Sequence, residues 1–175
     1  MQTYAQQHMA KYPPRPQVTR EILLQAGAEV EKELNQWANW HGQCAGLAQA
    51  LARIPGAQHL NGYELAKELE RSCVLFDIDT EAVEVLDNFS YEVEQRMTEL
   101  QRQWERAHQV QPPHPIGTQL KEGRITGISP YAPATYHVDW GHGESRLLVR
   151  YEDAVTAEEH HTVTASKPQP LALTC

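Results

Sequence analysis

The apolar residues of this chain keep two different periods, and the change falls at Gln111-Pro112-Pro113-His114-Pro115. Before that cluster they recur in steps of three and four, the spacing of a helix face. After it they alternate, the spacing of a half-buried strand. One chain of 175 residues therefore carries a helical region followed by a β region. The fold class expected is α+β.

The helical half contains two long stripes. Leu23, Ala26, Val30, Trp37, Trp40, Cys44, Leu47, Leu51 and Ile54 keep a heptad register whose one polar position is Glu33, with Leu34 beside it. Thr19 is placed to cap this segment, Glu21 suits its first turn, and Pro55-Gly56 ends it. Gly27, Gly42 and Gly46 weaken it, and a bend is expected near Trp40-His41-Gly42. The second stripe is Val83, Leu86, Ser90, Val93, Met97, Leu100, Trp104 and Ala107, opened by Asp79-Thr80 and closed by the proline cluster. Two such seams pack most simply as an antiparallel, coiled-coil-like hairpin. A short helix at Asn61–Leu69, with Leu65 and Leu69 on one face, makes it a three-helix unit. The expected organisation is an extended arm over 1–17, a helical domain over 18–110, a linker over 111–115, a β domain over 116–160 and a tail over 161–175.

In the β half, Ile116–Leu120, Arg124–Ile128, Thr135–Trp140 and Arg146–Tyr151 read as strands, with turns at Lys121-Glu122-Gly123 and Gly141-His142-Gly143-Glu144. So small a sheet must close on itself or pack on something else. The order Gly123-Arg124-Ile125-Thr126-Gly127-Ile128, Tyr136-His137-Val138-Asp139-Trp140-Gly141, Leu148-Val149-Arg150-Tyr151-Glu152-Asp153-Ala154 resembles small SH3-like barrels of the Tudor and KOW kind. The resemblance spans about 40 residues and implies a five-stranded barrel with a peptide- or nucleic-acid-binding role. The spacing is also similar to type II dihydrofolate reductase, another SH3-like barrel. That family's Val-Gln-Ile-Tyr stretch corresponds here to Leu148-Val149-Arg150-Tyr151, so its reactive residues are largely absent.

Charge argues against wholesale phosphate neutralisation. The chain has 15 basic and 23 acidic residues, a net −8; residues 1–110 hold 10 Lys/Arg against 16 Asp/Glu, and residues 111–175 hold 5 against 7. Neither half has a Lys/Arg run. Three cysteines, Cys44, Cys73 and Cys175, form no Cys-x-x-Cys pair, so neither a disulfide framework nor a zinc knuckle is indicated. Met1–His8 lacks a secretory signal, no stretch is apolar for a bilayer's width, and a cytoplasmic protein is the expectation. His137, Asp139 and His142 are the tightest group of metal-ligand types, yet three ligands across a turn read better as a polar strand face. With no nucleophile elbow or phosphate-cradling glycine loop, no catalytic residue, metal or cofactor is assigned.

What remains is binding. Tyr131, Tyr136, Trp140 and Tyr151 fall in the β module, where such residues line a ligand cage or groove. Two should fill the small core, with Tyr131 and Trp140 the more exposed. Arg124, Arg146 and Arg150, with Lys121, provide cations beside them. In the helical region Trp37 and Trp104 are expected in the core, whereas Trp40, Glu29 and Glu33 are candidates for partner contact. The leading expectation is a non-catalytic adaptor or regulatory protein that binds a protein partner, with homodimerisation through the helices. The alternatives are nucleic-acid binding through the basic, aromatic barrel face, or an acidic inhibitor of a nucleic-acid-binding protein carried by a mobile element.

Overall fold

A computed structural model describes residues 2–37, 46–72, 78–141 and 146–160. Trp40, Cys44, Cys73, His142, Cys175 and the expected tail, bend and Gly141–Glu144 turn lie wholly or partly outside them, as does the side chain of Trp37. The elements are α1 (Tyr4–Met9), α2 (Arg20–Trp37), α3 (Leu47–Leu51), α4 (Gly62–Arg71), α5 (Thr80–Ala107), β1 (Gln119–Leu120), β2 (Gly123–Ile128), β3 (Thr135–Asp139) and β4 (Arg146–Arg150). Single 3-10 turns stand at Ala57–His59 and Tyr151–Asp153. By contact the chain divides into two compact units. One is Pro16–Gln101; the other comprises the described residues of Met1–Arg15 and Arg102–Cys175. The cut thus runs through α5, not at the proline cluster, and the first 15 residues belong with the β region.

The helical unit buries apolar ridges. In α2 the buried residues are Ile22, Ala26, Val30 and Leu34; in α5 they are Val85, Phe89, Val93 and Met97, with Ala82 and Leu86 beside them. The α2 set steps by four, whereas the α5 set mixes steps of three and four, Ala82, Leu86, Phe89 and Val93 among them. Of the expected second seam, Leu86, Val93 and Met97 are buried and Val83 is partly buried, whereas Leu100 is exposed. Phe89 takes the place assigned to Ser90, and Leu23 is only partly buried. The long first seam is also shared between α2 and α3, and α3 begins where the Glu31 carboxylate accepts the Gly46 and Ala48 amides at 3.4 and 3.0 Å. That side chain does the work of an N-cap from another helix.

The short helix is α4. Asn61 and Glu64 form a reciprocal capping box, and Leu65, Ala66 and Leu69 face the core. Its first residue must be glycine, because a Cβ on Gly62 would stand 2.1 Å from the Val83 carbonyl oxygen. The Gly62 amide donates to the Asp87 carboxylate at the same place. Between α2 and α5, Asn88 donates to Glu33 at 3.2 Å and Arg96 lies 3.8 Å from Glu29. Farther out, the Gln101 amide reaches the Pro16 carbonyl at 3.3 Å.

In the second unit the strands form an antiparallel sheet of order β1-β2-β3-β4, curled into a half-barrel. Its inner face holds Leu120, Ile125, Tyr136, Val138 and Val149, closed by Tyr151 and Ala154. A bulge at Thr126 shifts the β2–β3 register, which raises local twist. Gly123, at φ 147°, lets the hairpin close against Asp139, whose carbonyl oxygen would be 2.1 Å from any Cβ. After β4 and its 3-10 turn the chain returns to β1, through a Leu120–Thr156 bridge and a Lys121 amide bond to the Val155 carbonyl at 3.0 Å.

The expected extended arm is another point of difference. Thr3 and Gln6 form a capping box that starts α1. The Pro-rich run after α1 ends at Arg15, only 8% exposed. Its guanidinium donates to both Glu152 oxygens (2.7 and 3.0 Å) and to the Pro133 and Ala134 carbonyls (2.7 and 2.8 Å). It also lies over the Trp104 ring. The prolines supply extended backbone, and Arg15 fixes where it goes. Ala134, held at φ 47°, is bonded on both sides, its amide to Glu105 and its carbonyl to Arg15 and Tyr151. Such redundancy is what holds a non-glycine residue in the left-handed region.

Candidate ligand face of the half-barrel

Paired residues of neighbouring strands project to the same face of a sheet. The register therefore writes out the outer face directly. Arg124 stands opposite Asp139, which stands opposite Arg146; Gly127, His137 and Leu148 form the next row; Thr135 and Arg150 form the third. Three arginines of one small sheet are thus brought to one surface, and all three are exposed. Arg124 donates its Nε to the Gly117 carbonyl at 3.2 Å. Among the described residues none of the three makes an ion pair. Asp139, their one acidic neighbour in the register, spends an oxygen on the Gly141 amide at 2.9 Å. Lys121, in contrast, pairs with Glu122 at 3.1 Å.

The four aromatic candidates separate by face. Tyr131 is 78% exposed and Trp140 is 49% exposed. Tyr136 and Tyr151 are buried with ring centroids 4.5 Å apart, so neither is open to a ligand. The Tyr136 hydroxyl accepts the His114 amide and donates to the His114 carbonyl, both at 2.8 Å. Burial pushes that phenol up to about 12, against the opposing pull of the His114 bond. Tyr151 is raised further, by burial first and then by Tyr136 and Glu105. These are structural tyrosines.

Leu148 was no candidate from sequence, yet it is 52% exposed between Arg146 and Arg150. Alternation alone does not separate it from Leu147 and Val149; the β3 register does. Of the helical candidates, Glu29 and Glu33 are engaged within their own unit, and Trp40 lies outside the described residues. Glu29 lies 3.5 Å from Lys32 as well as near Arg96, and Glu33 accepts from Asn88. Among the described residues no group of three or more His, Cys, Asp or Glu is placed to hold a metal. No helix among them is long and apolar enough to cross a membrane. Comparisons with protein-family models, curated proteins and solved structures returned no match.

Proposed function

We propose that the chain is a non-catalytic binding protein whose working surface is the outer face of the half-barrel. The observation that carries this is the trio Arg124, Arg146 and Arg150 on one sheet face, with no ion pair among the described residues, beside exposed Leu148. Exposed cations gathered on one face of an otherwise acidic chain suit a ligand of opposite charge. An SH3-like barrel fits the same residues, since the chain after β4 passes through a 3-10 turn and comes back beside β1. An antiparallel pairing of α2 and α5 fits the order of the Glu33–Asn88, Glu29–Arg96 and Pro16–Gln101 contacts. The helical unit then serves as the scaffold.

The test is affinity capture from nuclease-treated lysate with the wild-type chain and with an Arg124→Glu, Arg146→Glu, Arg150→Glu variant. A protein held by the former and released by the latter is the expected result. A partner held equally by both removes the face from consideration. Material lost on nuclease treatment moves the same arginines to phosphate binding, the second reading that three clustered cations favour.

A further inference from the structure

The two edges of the half-barrel are treated differently. At β1 the backbone is engaged by the returning chain at Val155 and Thr156. At β4 every strand pairing is with β3, in five consecutive matched pairs without a bulge. The Tyr151 amide bonds the Ala134 carbonyl at 3.0 Å, continuing that register. In an antiparallel ladder hydrogen-bonded and non-bonded pairs alternate. The backbone groups of Arg146, Leu148 and Arg150 therefore point away from β3. Among the described residues no hydrogen bond reaches them. Leu147 and Leu148 are 41% and 52% exposed along the same strand.

Natural edge strands are blunted by proline, bulges or charge, because a free ladder recruits another chain. Among the described residues β4 carries neither proline nor bulge but does carry charge, and the charge selects the occupant. A second copy pairing antiparallel about Leu148 sets Arg146 against Arg150 at both ends, and like charges directly opposite destabilise a pair. A strand carrying carboxylates at those two positions and an apolar residue between them meets the opposite condition.

Building on the proposed binding role, we propose that the β4 edge receives an extended acidic segment of a partner protein as an added strand. Main-chain bonds to Arg146, Leu148 and Arg150 hold it. The two guanidiniums and the Leu148 side chain read an acidic–x–apolar–x–acidic pattern on the outer face.

The experiment titrates the full chain into a fluorescein-labelled peptide with the core Glu-Val-Leu-Val-Glu. Controls are its Lys-Val-Leu-Val-Lys counterpart, a copy N-methylated at alternate amides, and oligothymidylate. The acidic peptide is expected to bind at least about tenfold more tightly than the basic one, and N-methylation is expected to abolish binding. The Leu148 amide should become protected from exchange on saturation. Arg146→Glu with Arg150→Glu should exchange the charge preference. Leu148→Pro removes one outward amide, at an edge position where proline is tolerated, and should abolish binding with the circular dichroism unchanged.

Equal binding of both peptides, of neither, or of the N-methylated copy overturns the edge proposal. So does oligothymidylate binding that responds to the same variants, or a dimer of the free chain that Leu148→Pro dissolves. The broader reading is judged separately: a lysate partner released by Arg124→Glu but indifferent to Leu148→Pro sinks the edge alone. A partner indifferent to both sinks the face as well.

Discussion

The two units of this chain hold themselves together by different means. Pro16–Gln101 has a core of aliphatic and aromatic side chains in which, among the described residues, no polar or charged one is buried. The buried polar residues among those described, Arg15, His114, Ser129 and Thr135, all belong to the β-rich unit. A curled four-stranded sheet has little apolar area to remove from water, so it gains order from hydrogen bonds made in a dry place. The difference is one of failure mode. An apolar core weakens in proportion to the volume removed, whereas a polar hub fails when one partner leaves another unsatisfied.

Phe89→Ala should do the greatest damage, about 4 kcal/mol in urea unfolding read by helical circular dichroism, through the cavity left in the helical core. Next comes Arg15→Met, at about 3 kcal/mol, because it leaves the Glu152 carboxylate and the Pro133 carbonyl without the guanidinium and takes one of two donors from the Ala134 carbonyl. Faster amide exchange in α1, with α2 and α4 unchanged, is the signature that sharpens the contrast. Equal loosening of α2 would break it. Tyr136→Phe keeps the ring and deletes the hydroxyl that serves both His114 groups, an expected loss of about 2 kcal/mol in the same assay.

The smallest effect concerns Glu159. Burial works to raise its carboxyl, but bonds from the Tyr4 amide and from Thr156, with the charge of His114, hold it below its ordinary value of 4.5. A carboxyl lowered by folding stabilises the folded state above its unfolded value, and that contribution fades as pH falls below it. Glu159→Gln should therefore cost under about 1 kcal/mol at neutral pH and flatten the acid limb of α1 exchange. An acid limb identical in the two proteins would show that the Tyr4–Glu159 bond at 2.7 Å contributes nothing.

The sequence made some of this legible and hid the rest for physical reasons. The limits of α5 followed from Asp79-Thr80 and the proline cluster, since caps and breakers are local. The buried face within it was legible only in part: Leu86, Val93 and Met97 are buried as the stripe has them, but Val85 and Phe89 are buried beside Val83 and Ser90, and Leu100 is exposed. The strands came from alternation, but Arg124, Arg146 and Arg150 share a surface through pairing, which alternation does not encode. Arg15 stood as one cation in a run of prolines. Its partners lie 118, 119 and 137 positions away, and nothing local announces them.

That long reach has a consequence for how the chain is made. The helical core is complete within Pro16–Gln101. The segment before it must wait for Pro133, Ala134 and Glu152 before Arg15 has its partners. At ordinary ribosomal speed the delay is on the order of ten seconds. During it, a half-finished β unit offers bare strand edges while its own first segment hangs loose. The β-rich unit thus closes after the helical one although it needs residues made before it, and the proposed binding face forms only when both ends of that unit have met.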